Sequence, residues 1–358
     1  MKVVHVVAAG EIGGAERMLV DLARGDDRHA IALLTPNDGL RRLFRDAGLP
    51  VDDRGTNVKE GPLSFLSSTF GQGDVGWLAD VFQRRRASIV HLHTFASQVI
   101  GTRAAEKTGA RIVRTEHSTR VYDDPSCWPF ARWSLPRADA VVYISEHVRR
   151  RALAKAPFLR DTVVVRNGVD TERFDVRPPA PSRFLALGRL DPRKGLDLAL
   201  EAIAGVPGAS LDIVGTGSEE RALRALASSL GIADRVHFRG YTSDVREAIA
   251  GASVVLASAV EEGLGIAILE AMAMGRPACV VPVGGLLEIV RDGETGWVAA
   301  ARTAPALAEA LRKAHENEPE RARRGALART RVEEEFSLAA MRQGYDAVYA
   351  RVLKRPGH

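Results

Sequence analysis

The segment Glu262-Gly-Leu-Gly-Ile-Ala-Ile-Leu-Glu270 sets two carboxylates around a glycine turn and the first turns of an apolar helix. A helix start leaves backbone N–H groups without intrahelical partners, and the helix dipole favours an anion there. Glu262 stands before the helix, next to such an anion. Glu270 stands about one and a half turns inside it, at ~3.6 residues per turn, and reaches a second part of the same ligand. A ligand that satisfies both is an anion joined to a polyol, such as a sugar nucleotide. Taken alone, the same spacing also describes an ordinary helix start with two solvated glutamates.

Gly188-Arg-Leu-Asp-Pro-Arg-Lys-Gly195 is a second candidate. Arg189 can fork onto phosphate oxygens and Lys194 can add a point charge. Together they suit a pyrophosphate leaving group. The loop does not meet the G-x-x-x-x-G-K-[ST] pattern of a Walker loop. Gly13 and Gly14 follow the first apolar run and let backbone approach a ligand closely, although a tight strand-to-helix turn has the same signature. Glu16 and Arg17 open the helix that follows and face either ligand or solvent.

His117 is expected at the carboxyl edge of a strand, and His91 and His93 on one face of another, because strand side chains alternate. An H-x-H of this kind also occurs in metal hydrolases, but further ligands are missing and no D-x-D is present. Val214-Gly-Thr-Gly217 begins like a dinucleotide fingerprint, and Glu220 stands where the third glycine belongs, which disfavours an NAD enzyme.

These residues need elements to hold them. Residues 2–7, 29–34, 88–93, 111–115 and 140–144 read as buried strands with helical stretches between them, including 15–23. After a proline-rich break at 177–182 the pattern restarts. Strands are expected at 184–187, 210–214, 236–238, 253–257 and 277–281, with a helix at 196–203. Strands alternating with helices imply parallel sheets covered on both faces. The residues between 52 and 76 and between 120 and 133 read as irregular. The latter holds Trp128 and Trp133, which either stack on sugar rings or cover the core. The last helix, 338–353, gathers Met341, Tyr345, Val348, Tyr349 and Val352 on one face.

At 358 residues, two domains are expected. Composition is that of a soluble globular chain, 46% hydrophobic and 27% charged. No apolar run approaches the ~20 residues of a membrane span. Two cysteines and no secretory signal fit a cytoplasmic protein. The net charge of +5 comes with arginine clusters at 41–42, 84–86, 149–151 and 321–324. Aromatics at 6% give none of the interleaving a single-strand nucleic-acid binder needs. The clusters leave peripheral contact with the inner face of an anionic membrane, or solvated helix faces.

In order and spacing, Gly13-Gly-Ala-Glu-Arg17, Thr115-Glu-His117, Asn167-Gly-Val-Asp170, residues 188–195, Val214-Gly-Thr-Gly217 and Glu262 through Pro277 resemble the retaining glycosyltransferases of family GT4. The resemblance covers nearly the whole chain. It implies the GT-B fold: two α/β, Rossmann-like, doubly wound domains facing each other across a cleft. Residues 1–176 would bind the acceptor and 177–337 the nucleotide sugar, with 338–358 a helix packing back on the first domain.

It also implies roles. Arg189 and Lys194 would hold the diphosphate, and Glu270 the ribose. Glu262 with the amides of Gly265, Ile266 and Ala267 would hold the donor sugar or phosphate. Gly215, Tyr241 and Thr242 would line the donor site, the last two at the base. Gly13 and Gly14 would contact the donor, His117 its sugar, and Glu16 and His93 are acceptor-side candidates. His117, Arg189, Lys194 and Glu262 form the expected catalytic set.

The expected activity is metal-independent hexosyl transfer with no cofactor. The donor is a nucleoside-diphosphate sugar, with UDP the family's common choice. The acceptor is a glycan, a lipid-linked glycan or a small molecule, as in bacterial polysaccharide or glycoconjugate synthesis. The alternatives are a non-catalytic nucleotide-sugar-binding assembly partner and a metal-dependent hydrolase built on His91, His93 and His117.

Overall fold

Thirteen strands form two parallel sheets among the described residues. The computed structural model describes residues 1–9, 12–55, 71–177 and 183–355. Gly10 of the first glycine turn, residues 56–70 of the first irregular stretch and residues 178–182 of the proline-rich break lie outside them. Two compact units divide the chain. Met1–Asn167 and Ala339–His358 form the first, and Gly168–Leu338 the second. The chain thus passes between units within the Asn167-Gly-Val-Asp170 motif. Val169 pairs with Ser337 there, so both passages lie side by side.

In the first unit the strands are β1 (Val3–Val7), β2 (His29–Leu33), β3 (Val51–Asp53), β4 (Ile89–Leu92), β5 (Arg111–Glu116), β6 (Ala140–Tyr143) and β7 (Thr162–Val164), in the order β3-β2-β1-β4-β5-β6-β7. The second unit holds β8 (Arg183–Leu187), β9 (Ser210–Val214), β10 (Val236–Gly240), β11 (Val254–Ala257), β12 (Ala278–Val280) and β13 (Gly296–Val298), in the order β10-β9-β8-β11-β12-β13. Strands buried on both faces read as near-continuous apolar runs, which is why the central ones are legible in the sequence.

β3, β7 and β13 were not expected. Each is three residues long and lies at a sheet edge. The stretch 120–133, expected to be irregular, contains the helix Arg120–Asp123 and most of the helix Trp128–Ser134. These are too short to show periodicity. Trp128 and Trp133 are half-buried, and Arg137 stacks 4.5 Å from the Trp133 ring centroid. The stretch 52–76 likewise gives up its ends, to β3 and to the helix Gly73–Arg84.

Each sheet reverses its winding once, at β1/β4 and at β8/β11. The carboxyl ends beside such a switch point are where ligands of open α/β sheets bind. Gly13 and Gly14 follow β1, residues 188–195 follow β8, and residues 258–265 follow β11. No helix among the described residues is long and apolar enough to cross a membrane.

Candidate functional site

In the second unit, three loops at the switch point are tied together through their backbones. Val260 donates its N–H to Arg193 O at 2.8 Å, and the Ser258 hydroxyl donates to Lys194 O at 3.1 Å. Gly285 N–H donates to Glu262 O at 2.8 Å. Sequence reasoning missed Ser258 and Gly285. The Gly284-Gly285 pair just past an apolar run was the available signal. This backbone lacing fixes Lys194 and Glu262, whose Nζ and Oε2 lie 2.7 Å apart and whose side chains are one third and one fifth exposed.

Arg189 reaches Asp191 at 3.3 Å, and Arg193 reaches the same oxygen at 3.0 Å. Burial alone would raise the Asp191 carboxyl, but the hydrogen bond and charge of Arg193, with Arg189 behind it, hold it below its usual value. Asp191 therefore stays ionised and organises both guanidiniums at the mouth of the loop.

The helix Ile266–Ala273 begins at Gly265, whose φ of 103° is a left-handed conformation. Its first return bonds run from Ile268 and Leu269 N–H to Gly265 O. The N–H groups of Ile266 and Ala267 therefore precede the intrahelical ladder, as expected of an anion-binding start. Both residues are half-buried, as is Glu270 further along the helix. Gly215 follows β9 with φ 143°, and a Cβ there would stand 1.8 Å from Gly188 O. The two turns beside the site hence pack backbone to backbone. After β10, Tyr241 is exposed, while the Thr242 hydroxyl donates to Asp244 O at 2.7 Å.

In the first unit, Gly13 caps the helix Gly14–Ala23, and its N–H donates to Glu16 Oε2 at 2.8 Å. Glu16 is buried rather than turned to solvent. Gly14 is exposed.

The histidines are organised by the sheet. Register places Val3 beside His29 and His5 beside His91, and alternation then puts His5, His29, His91, His93 and Thr115 on one face. Val4, Val6, Val90, Leu92 and Ile112 point the other way, into an apolar core with the helices Gly73–Arg84 and Phe95–Thr108. The helix Leu338–Leu353 lies over the histidine face. Its Tyr349 hydroxyl bonds His91 Nδ1 at 2.8 Å, and Tyr345 bonds the Thr115 hydroxyl at 3.2 Å. The stripe on this face of the helix thus carries two hydroxyls that satisfy buried polar groups.

Ring nitrogens of His5, His91 and His93 come within 4.8 Å of one another. His117, expected in a histidine metal set, is not in that group. His91 Nε2 is bonded to Thr115 at 2.7 Å, and both nitrogens of His5 and of His93 bond other histidines. A metal ion would have to break that network. Burial drives His5, His91 and His93 well below the ordinary imidazole value and His117 down to about 4. His5 and His29 were not singled out in the sequence. The signal was a histidine within Val3–Val7 and another opening the apolar run His29–Leu33.

Comparison with known proteins agrees with this architecture. Residues 12–173 match the family model described as Glycosyltransferase Family 4, and residues 169–331 match Glycosyl transferases group 1. The chain belongs to the group 1 glycosyl transferases of family GT4, and its fold is the GT-B class.

Among relatives, it is 26% identical over 303 residues to the N-acetyl-alpha-D-glucosaminyl L-malate synthase of Bacillus anthracis, covering 77% of this chain and 78% of that one. It is 35% identical over 224 residues to a GDP-mannose-dependent alpha-(1-6)-phosphatidylinositol monomannoside mannosyltransferase of Mycolicibacterium smegmatis, covering 54% and 58%. EpsD of Bacillus subtilis is matched at 30% identity over 62% of this chain and 65% of its own length. Two of these three relatives are thus spanned over less than two thirds of their length. The crystal structure of Anabaena HepE in complex with UDP and glucose superposes with a TM-score of 0.86 at 21% identity, covering 98% of this chain and 99% of that one.

Proposed function

We propose that this protein transfers a sugar from a nucleoside-diphosphate sugar, with UDP as the carrier, to a hydroxyl of a glycan, glycolipid or small molecule, with retention at the anomeric carbon. The observation that carries this reading is the Lys194–Glu262 pair, laced by backbone to a helix start at a sheet switch point. HepE, of the same fold, holds UDP and glucose in its crystal structure, which supports the UDP carrier. The mycobacterial relative is named for GDP-mannose, so a guanine carrier is the competing choice.

Breaking a glycosyl–phosphate bond leaves negative charge on the diphosphate and positive character on the sugar. In this reading Lys194, Arg189 and the amides of Ile266 and Ala267 stabilise the departing diphosphate, which is often the largest catalytic contribution. A diphosphate competes with Glu262 for the Lys194 ammonium, and the freed Glu262 carboxylate then accepts hydroxyls of the donor sugar. Glu270 binds the ribose, Gly215 lets backbone approach the donor, and Tyr241 and Thr242 border the base. Gly13, Gly14 and His117 contact the donor in the same reading, and Glu16 and His93 are acceptor-side residues.

No carboxylate is assigned as a covalent nucleophile. The acceptor attacks on the face the diphosphate leaves, and the leaving phosphate takes its proton. Inverted product, read by NMR of the new anomeric proton, would sink this mechanism.

The first test is thermal stabilisation by UDP, GDP, ADP and NAD without added metal. A ligand of the folded state raises its apparent stability by mass action. A shift with UDP supports the proposal, one with GDP alone moves the carrier, and none removes the donor site.

Peripheral membrane contact rests on the basic clusters. Arg41, Arg84, Arg85, Arg149 and Arg151 are each paired with an acid, which reduces their pull on anionic lipid. Equal binding to neutral and anionic vesicles, or to neither, would remove the electrostatic contact.

A further inference from the structure

Four histidines of the first unit are joined end to end. His29 Nδ1 lies 2.7 Å from His5 Nε2, and His5 Nδ1 lies 2.9 Å from His93 Nε2. His93 Nδ1 lies 3.3 Å from His117 Nε2. Every link joins the Nδ1 of one ring to the Nε2 of the next. At the far end His29 Nε2 faces Asp26 Oδ2 at 3.5 Å. His117 Nδ1 is the other end of the chain, on a half-buried residue just past β5.

A neutral imidazole carries one N–H and one lone pair. A link between two neutral rings therefore needs the hydrogen on one side only, and choosing the tautomer of one ring chooses it for all four. Burial keeps these rings neutral near pH 7, which is the state the chain requires.

Asp26 breaks the tie between the two directions. Its hydrogen bonds with Arg28 hold its carboxyl down to about 2, so it can only accept. His29 then points Nε2–H at the carboxylate, because the opposite tautomer would set a lone pair against it. The other charges around His29 are Arg28, Asp346 and Arg342, which surround a cavity of about 370 Å3 with Asp26. His91 stands beside the chain, its ring centroid 4.1 Å from that of His93, but its nitrogens serve Tyr349 and Thr115.

We propose that Asp26, acting through His29, His5 and His93, fixes His117 in the Nε2–H tautomer, so that His117 presents the Nδ1 lone pair and accepts a hydrogen bond from a hydroxyl of the bound ligand. Asp26, His29, His5 and His93 are positioning residues for His117. The hydroxyl-bearing ligand rests on the proposed sugar-transfer reading, whereas the tautomer is a property of the protein alone.

The test is the tautomeric state of each ring in the 15N-labelled full-length protein at pH 7.5, read from long-range 1H–15N correlations. His5, His29, His93 and His117 should all show protonated Nε2 and bare Nδ1. Asp26→Asn removes the acceptor-only terminus and should shift His117 toward the Nδ1–H form. In His5→Phe the chain is cut, and adding Asp26→Asn should leave His117 unchanged. Nδ1–H in the unsubstituted protein, or a His117 signal indifferent to Asp26→Asn with the chain intact, overturns the proposal. Asp26 lies on a partly exposed turn, so this arm stands even if His5→Phe does not fold. UDP-glucose titrated into the same sample separates the readings. A correct tautomer with no nucleotide binding would remove the transfer function and leave the chain standing, whereas binding that leaves the His117 Nδ1 signal unmoved overturns the ligand contact.

Discussion

Lys194 Nζ and Glu262 Oε2 are 68 residues apart in the chain and 2.7 Å apart in space. The contact joins the loop after β8 to the loop after β11, the two strands flanking the switch point. A cation held by a carboxylate is already placed when a diphosphate arrives, so little reorganisation is left for the reaction. Lys194→Ala should lower kcat for sugar transfer about 100-fold, the scale of losing one preorganised charge-stabilising group, with an unchanged circular dichroism spectrum. Near-normal turnover would take Lys194 out of leaving-group stabilisation.

Glu270 lies half-buried on the helix that starts at Gly265. Glu270→Ala should weaken UDP binding by about tenfold, the effect of deleting ~1.5 kcal/mol of hydrogen bonding to a charged group. Calorimetric titration with UDP measures this. An unchanged affinity means that the ribose is held elsewhere.

Gly215 has no room for a side chain. With φ at 143° and a would-be Cβ 1.8 Å from Gly188 O, Gly215→Ala combines backbone strain with a backbone clash. A loss of about 3 kcal/mol is expected, read as a lower urea midpoint with the same slope. Because the clash is against the turn that leads to Arg189, UDP affinity should fall as well.

Acid should destabilise the first unit through its histidines. Burial lowers the folded values of His5, His29, His91, His93 and His117 beneath the 6.5 of an exposed ring. The unfolded chain therefore binds more protons, and stability rises with pH across the window between the two values. The contribution is complete above about 6.5 and is lost progressively as pH falls toward 4 and below. With several rings shifted, the urea midpoint should fall between pH 6.5 and 4 more steeply than the ~1.4 kcal/mol per pH unit of a single proton. A flat midpoint across that range contradicts the buried neutral chain. Asp26, Asp244 and Glu320, held at about 2 by arginines, add their own loss only below about 4.

Metal removal should leave transfer intact. The proposed leaving-group cradle consists of Lys194, Arg189 and helix amides, and both ring nitrogens of His5, His91 and His93 are bonded to other histidines, Tyr349 or Thr115. Activity should be equal with and without EDTA. A loss restored by a divalent ion would assign part of the charge stabilisation to that ion.

The sequence by itself determined the central strands, the two restarting α/β patterns and the family motifs. Buried parallel strands must be apolar throughout, and glycine turns before helices carry a local signature. Residues 188–195 and 262–270 were legible for that reason, each being a strand-end loop read within a few residues. Only the tertiary structure decided which of their side chains meet. Lys194 finds Glu262 because β8 and β11 are neighbours in a sheet whose order no local pattern encodes. The edge strands β3, β7 and β13 escaped notice as three-residue segments, too short to show alternation. His5, His29, His93 and His117 come from four separate segments, and only strand register puts them on one face. Their alignment into a single hydrogen-bonded line is a consequence of non-local packing, under a final helix whose Tyr345 and Tyr349 hydroxyls bond Thr115 and His91.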